Sequence, residues 1–152
     1  MAYSSESARG QLLDQLGQAI DSLSEAVGAL GEAYEAADQR TADELEGQLF
    51  RPVQSAYGRA QRTRSGFAQR HRLEAAAIPA SGPASPSADP RVHLERAVAA
   101  VERADGVIAE MQDSMLPVEV GDRELRDGLT EVRELMAAVP ARGRQLLRLV
   151  GR

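Results

Sequence analysis

Chemistry in a protein chain needs groups that bind metal, move protons or attack, so the imidazoles and arginines come first. His71 and His93 are the two histidines. Neither lies in a Glu-x-x-His or His-Glu-x-x-His frame, the spacings that set two metal ligands on one helix face. With no Cys in the chain, thiolate zinc sites, cysteine nucleophiles and disulfide frameworks are excluded. Most serines fall in the N-terminal tail or a Pro-rich middle segment, and none sits in a nucleophile elbow. Gly28-Ala29-Leu30-Gly31 lacks the Lys of a phosphate-binding loop. His71 shares a helix face with Phe67, the place of a partly buried structural ring. The expectation is of no catalytic, metal-ligating or cofactor-binding residue, and of no enzyme.

The cations are more informative. All 18 are Arg, a usage that fits a GC-rich bacterial genome. A guanidinium stays charged and grips a carboxylate or phosphate with two donors. Arg51, Arg59, Arg62 and Arg70 fall within about 100° of helical arc, opposite an apolar face. Arg144 and Arg148 belong to a second basic stretch near the C-terminus. Such clusters suit an acidic protein surface or phosphates. The net charge of −5 and a basic segment nearly free of aromatics weigh against nucleic acid, which is recognised by stacking as well as by charge.

These residues need helices to present them. With five aromatics in 152 residues, Ala, Leu and Val must supply the core, a composition unlike that of strands. From about Ser5 to Arg40, Leu13, Leu16, Ile20, Leu23, Val27, Leu30, Tyr34 and Ala37 alternate spacings of three and four, an apolar heptad seam. Gly10, Gly17, Ser24 and Gly31 form one flanking column, and Leu12, Ala19, Ala26 and Ala33 the other. Small and apolar flanks widen the buried stripe, as when one helix packs against two neighbours. The glycine column predicts close approach of another helix backbone. Thr41-Ala42-Asp43-Glu44 fits a capping box and places a turn near Gln39 to Thr41. The second helix extends to about Leu73 with Leu45, Leu49, Val53, Ala56, Ala60 and Phe67 on one face, and Pro52 must kink or interrupt it.

Ala75 to Pro90 is rich in Pro, Ala and Ser, and cannot propagate a helix. Asp89-Pro90 supplies an N-cap acid and a Pro for a third helix, with Leu94, Val98, Val101, Ile108, Met111 and Met115 facing the core. Leu116-Pro117 stops it. Asp122 caps a fourth helix with Leu125, Leu129, Val132, Met136, Val139, Gly143, Leu146 and Val150 in its seam, bent or ended early by Pro140. The fold expected is all-α: two antiparallel helical hairpins, residues 1–74 and 91–152, joined by a flexible linker, 75–90. They form a four-helix bundle within one chain or between two.

Charge alternates along this plan. Residues 1–47 hold ten acids and two Arg, and 48–74 hold six Arg and one Glu; 92–136 hold eleven acids and five Arg, and 137–152 four Arg and no acid. An antiparallel hairpin sets the basic end of its second helix beside the acidic start of its first. Asp105 and Arg64, at the edges of apolar faces, either reach water at the rim or meet as a buried pair.

Tyr34-Glu35-Ala36-Ala37-Asp38 resembles the Tyr-x-x-x-Asp secretion signal of type VII substrates, helical hairpins of high-GC Gram-positive bacteria. The companion Trp-x-Gly turn is absent and Tyr34 also occupies a heptad core position, so the chain is assigned to no family. The opening Met1 to Glu6 lacks the cationic and apolar regions of a secretory signal, no apolar run reaches about 20 residues, and a cytoplasmic protein is expected. The functional expectation is a helical scaffold or adaptor that binds a protein partner and self-associates as a homo-oligomer through the Arg stripe and the acidic face of the first helix. The alternative is binding of nucleic acid or an anionic surface, including a membrane surface, through the Arg-rich second helix and basic C-terminus.

Overall fold

A computed structural model describes residues 2–81 and 87–150. Among these residues there are helices and connecting segments but no strand, in the order α1 (Ala2–Ala36), α2 (Gln39–Leu45), a π-helical turn (Glu46–Phe50), α3 (Arg51–Arg70), α4 (Pro90–Asp113), α5 (Leu116–Val120), α6 (Arg123–Met136) and α7 (Val139–Val150). The architecture is an all-α helical bundle. Residues 82–86 of the expected linker lie outside the described residues.

The wide stripe of α1 is buried as its composition requires. Leu12, Ala19, Ala26 and Ala33 are as fully enclosed as Leu16 and Leu23 of the seam, because α1 packs against both α3 and α4. Its most extensive neighbour is α4, and that of α3 is α6, so both principal pairings join segments on opposite sides of the Pro-rich middle. Tyr34 departs from the expected seam and is 40% exposed. It lies in the last turn of α1, beside Ala33, which stays fully enclosed.

Turn chemistry explains most boundaries. The expected Thr41 cap is corrected: α1 ends at Ala36, and Asp38 caps α2, its Oδ1 accepting from Thr41 N at 2.8 Å. The Asp carboxylate also satisfies the partial positive charge of a helix start, which a Thr hydroxyl does less well. Pro52 acts through the π turn that precedes α3: Arg51 N–H bonds to Glu46 O, five residues back. Pro has no N–H to offer the carbonyl four residues before it, and Arg142 Nη1 donates to that carbonyl, Gln48 O, at 3.4 Å. The arm from Gln39 to Arg70 therefore takes up Pro52 through the π turn and keeps helical dihedrals at its junctions.

Helix α3 ends with Arg72 in the left-handed region, φ 54°, and Leu73 N–H returning to Ala68 O at 2.9 Å, a termination that glycine normally provides. Asp89 caps α4 with Pro90 in its first turn, and Asp122 caps α6, both as the sequence predicts. Pro140 sits in the first turn of α7, after the break at 137–138. Met115, expected in the core, is 52% exposed and adopts φ 63°, because it forms the reversal into α5 rather than another turn of α4.

Close approach of helices does involve glycine, but at other positions than expected. A Cβ on Gly10 or Gly31 meets nothing within 4 Å, whereas one on Gly17 would meet Ile78 Cδ1 at 3.3 Å and Arg64 Nε at 3.6 Å. Ser24, in the same column, accepts from Ser81 N at 2.9 Å. That column therefore seats the 73–81 segment and an Arg side chain, not another helix backbone. The tight contacts are Gly128 of α6 on Thr63 of α3 and Gly143 of α7 on Val98 of α4.

Candidate functional site

Helix α3 carries four of the six candidate arginines. Its inner face is Val53, Ala56, Ala60, Thr63 and Phe67, all buried, and these four arginines fall along one flank of it. The antiparallel neighbour α6 decides what each one meets. Arg59 Nε donates to Glu131 Oε2 at 2.6 Å, and its Nη1 to Thr63 Oγ1 at 3.2 Å. Arg70 grips Asp122 with two bonds, Nη2 to Oδ1 at 2.8 Å and Nε to Oδ2 at 3.0 Å, and gives Nη1 to Glu124 at 2.6 Å. Arg144 of α7 pairs with Glu102 of α4 at 2.7 Å.

Arg51, Arg62 and Arg148 remain exposed and form no ion pair among the described residues. The six candidates thus separate into three that hold the bundle together and three that face solvent. Arg59, Arg62 and Arg70 do share a groove of about 350 Å³ with Thr63, Gly66, Glu124 and Asp127. Its two acids offset two of its three cations, so it is not a free basic stripe.

The expected pairing of the basic end of the second helix with the start of the first is corrected. Arg70 meets the start of α6, and Arg64 meets backbone, donating to Leu13 O at 3.4 Å and Ala76 O at 2.8 Å. Asp105 pairs with Arg133, not Arg64, at 2.8 Å. The hydrogen bond that Arg133 donates to Asp105 raises the Arg133 pKa beyond its already high value. This pair lines a cavity of about 580 Å³ between α4 and the α6–α7 break, with Glu102, Glu134, Val101 and Pro140.

Asp122 gathers more polar partners than either histidine, and its side chain is 4% exposed. Beyond Arg70, it accepts from Leu125 N at 2.8 Å and contacts His71 Nε2 at 2.7 Å. Burial pushes its pKa up, but the bond from Arg70, then those from Leu125 and His71, outweigh burial and hold the carboxyl below the usual range. Its capping role is legible from sequence, whereas its partners 51 and 52 residues away give no local signal. His71 stacks obliquely on Phe67, ring centroids 4.7 Å apart. His93 is buried, with Nε2 at 2.7 Å from Ser87 O, a bond in which the ring N–H donates to a carbonyl. Both rings thus serve the packing of their segments.

The acidic face of α1 divides in the same way. Glu25 bonds Arg96 at 3.1 Å and also Arg103, tying α1 to α4. Asp14, Asp21, Glu32 and Glu35 are exposed and form no ion pair among the described residues. No group of three His, Cys, Asp or Glu side chains among the described residues is arranged to hold a metal ion. No helix among them is long and apolar enough to cross a membrane.

The fold and its surface define a charged, all-α bundle laced by Arg–carboxylate pairs. No family model, curated protein or solved structure matches the chain.

Proposed function

We propose that the chain is a non-enzymatic helical scaffold or adaptor that binds a protein partner and self-associates. In this reading, residues 1–74 and 91–152 are antiparallel hairpins joined through 75–90, and the interaction surface is the charge left over after the bundle is assembled. The observation that supports it most is the uncompensated set on each side: Asp14, Asp21, Glu32 and Glu35 on α1, against Arg51, Arg62 and Arg148. Charges that hold no internal contact are free to meet a partner of opposite sign, and they steer encounter. The alternative of nucleic-acid or anionic-surface binding has less support, since Arg59, Arg70 and Arg144 are each bonded to acids of the same chain.

The test reverses charge at Arg51, Arg62 and Arg148 together, by substitution to Glu, leaving the structural arginines intact. Capture of partners from the native host and light-scattering mass are compared with the unsubstituted chain, with the melting midpoint as a control of folding. Loss of a captured protein or of the oligomer is expected. Retention of every partner and an unchanged mass sinks the proposal. A mobility shift on nucleic acid that falls steeply with salt favours the alternative.

A further inference from the structure

Two exposed apolar features lie at the same end of the bundle. The first is a groove of about 330 Å³ between the last turns of α1 and the π turn, lined by Gly31, Tyr34, Glu35, Glu46 and Phe50. Tyr34 and the partly buried Phe50 make its floor, Glu35 and Glu46 its acidic rim, and Gly31 leaves its wall open, since nothing lies within 4 Å of a Cβ there. A floor and rim of this kind fit an apolar side chain carried next to a cation. The second feature is the end of α7. Leu149 is 56% exposed, and its neighbour Arg148 is exposed with no ion pair among the described residues. Residues 137–150 contain three Arg and no acid.

Their placement follows from the pairing of the helices. Arg70 with Asp122, Arg59 with Glu131 and Arg142 with Gln48 O show α6 and α7 running opposite to the Gln39–Arg70 arm. At about 1.5 Å per residue, Leu149 lies roughly 10 Å beyond Arg142, on the side of the π turn where α1 gives way to α2. A groove and a knob at opposite ends would link copies head to tail into an open chain. At one end they can satisfy each other about a two-fold axis, and the contact closes at two copies.

We propose that the Tyr34–Phe50 groove receives the Arg148–Leu149 corner of α7 from a second copy of this chain, reciprocally, with Leu149 on the aromatic floor and Arg148 against Glu35 and Glu46. This deepens, and rests on, the self-association part of the proposed function. Because only one end of the bundle takes part, the contact is smaller than a standard interface and the dimer is concentration-dependent.

Sedimentation equilibrium of the full chain at low salt, up to about 0.5 mM, tests it. The chain is expected to approach a dimer and no larger species. Leu149→Glu and Tyr34→Ser, both at exposed positions, each weaken association about tenfold or more. Arg148→Glu weakens it as well, and adding Glu35→Arg and Glu46→Arg restores most of the loss, a recovery that general destabilisation cannot produce. Melting midpoints of the variants confirm folding.

A monomer throughout the range, or growth past the dimer, overturns the proposal. So does association indifferent to Leu149, Tyr34 and Arg148 but abolished by Arg51→Glu with Arg62→Glu. That last result leaves self-association standing and moves its surface, so the two readings fail separately.

Discussion

Replacing Asp122 tests how the two sides of the bundle are joined at the α3–α6 end. Its two oxygens take the bidentate Arg70 bond, His71 Nε2 and the Leu125 N–H. Asp122→Asn keeps an oxygen for the cap but turns an NH₂ toward donors, and it deprives Arg70 of a charge-assisted pair. Hydrogen bonds to charged groups contribute about 1.5–3 kcal/mol each, and Arg70 keeps Glu124, so the expected loss is about 2 kcal/mol. Asp122→Ala also removes the N-cap, which contributes about 1 kcal/mol more, for a total of about 3 kcal/mol. The pH dependence follows from the lowered pKa. A carboxyl whose folded pKa lies below its unfolded value of about 3.9 stabilises the fold above that unfolded value. This contribution fades as pH falls through the folded value. Urea unfolding followed by far-ultraviolet circular dichroism is therefore expected to show the full difference between the unsubstituted chain and the Asp122→Asn variant at pH 7, narrowing below about pH 4. Equal stability at pH 7, or a gap that widens on acidification, refutes the reasoning.

Three glycine-related substitutions probe the backbone by the same unfolding assay. Gly128→Ala sets a methyl against Thr63, whose Cγ2 would lie 2.6 Å away, and is expected to cost about 2 kcal/mol, part of it recovered in combination with Thr63→Ala. Gly28→Ala meets nothing within 4 Å and should stabilise α1 by about 0.5–1 kcal/mol through helix propensity; a loss there contradicts the open exterior of that face. Arg72→Gly relieves a left-handed residue at the end of α3 and should raise stability by about 0.5–1 kcal/mol; an unchanged or lower midpoint contradicts that relief.

Features that act within a turn or two are readable from residue order. The heptad of α1, the caps at Asp89 and Asp122, the helix start at Pro90 and the irregularities beside Pro52 and Pro140 are all of this kind. The buried faces of the second and fourth helices, from Leu45 to Phe67 and from Leu125 to Leu146, are legible for the same reason: period sets direction. The Asp38 cap escapes such reading because Thr41, three residues on, offers a rival box, and only the observed end of α1 separates them.

Which arc of each helix is covered, and by what, is settled by packing. Arg59 and Arg62 belong to the same arc read from the helical wheel, yet one is bonded to Glu131 of α6 and the other is exposed with no ion pair among the described residues. The glycine column of α1 seats Ile78 and Arg64 while Gly128 and Gly143 make the close crossings, and Tyr34 is exposed while Ala33 beside it is enclosed. Period gives a side chain its direction on its own helix, but contact depends on the position of a second helix distant in sequence. That position comes from the packing of the whole bundle, and no local spacing encodes it.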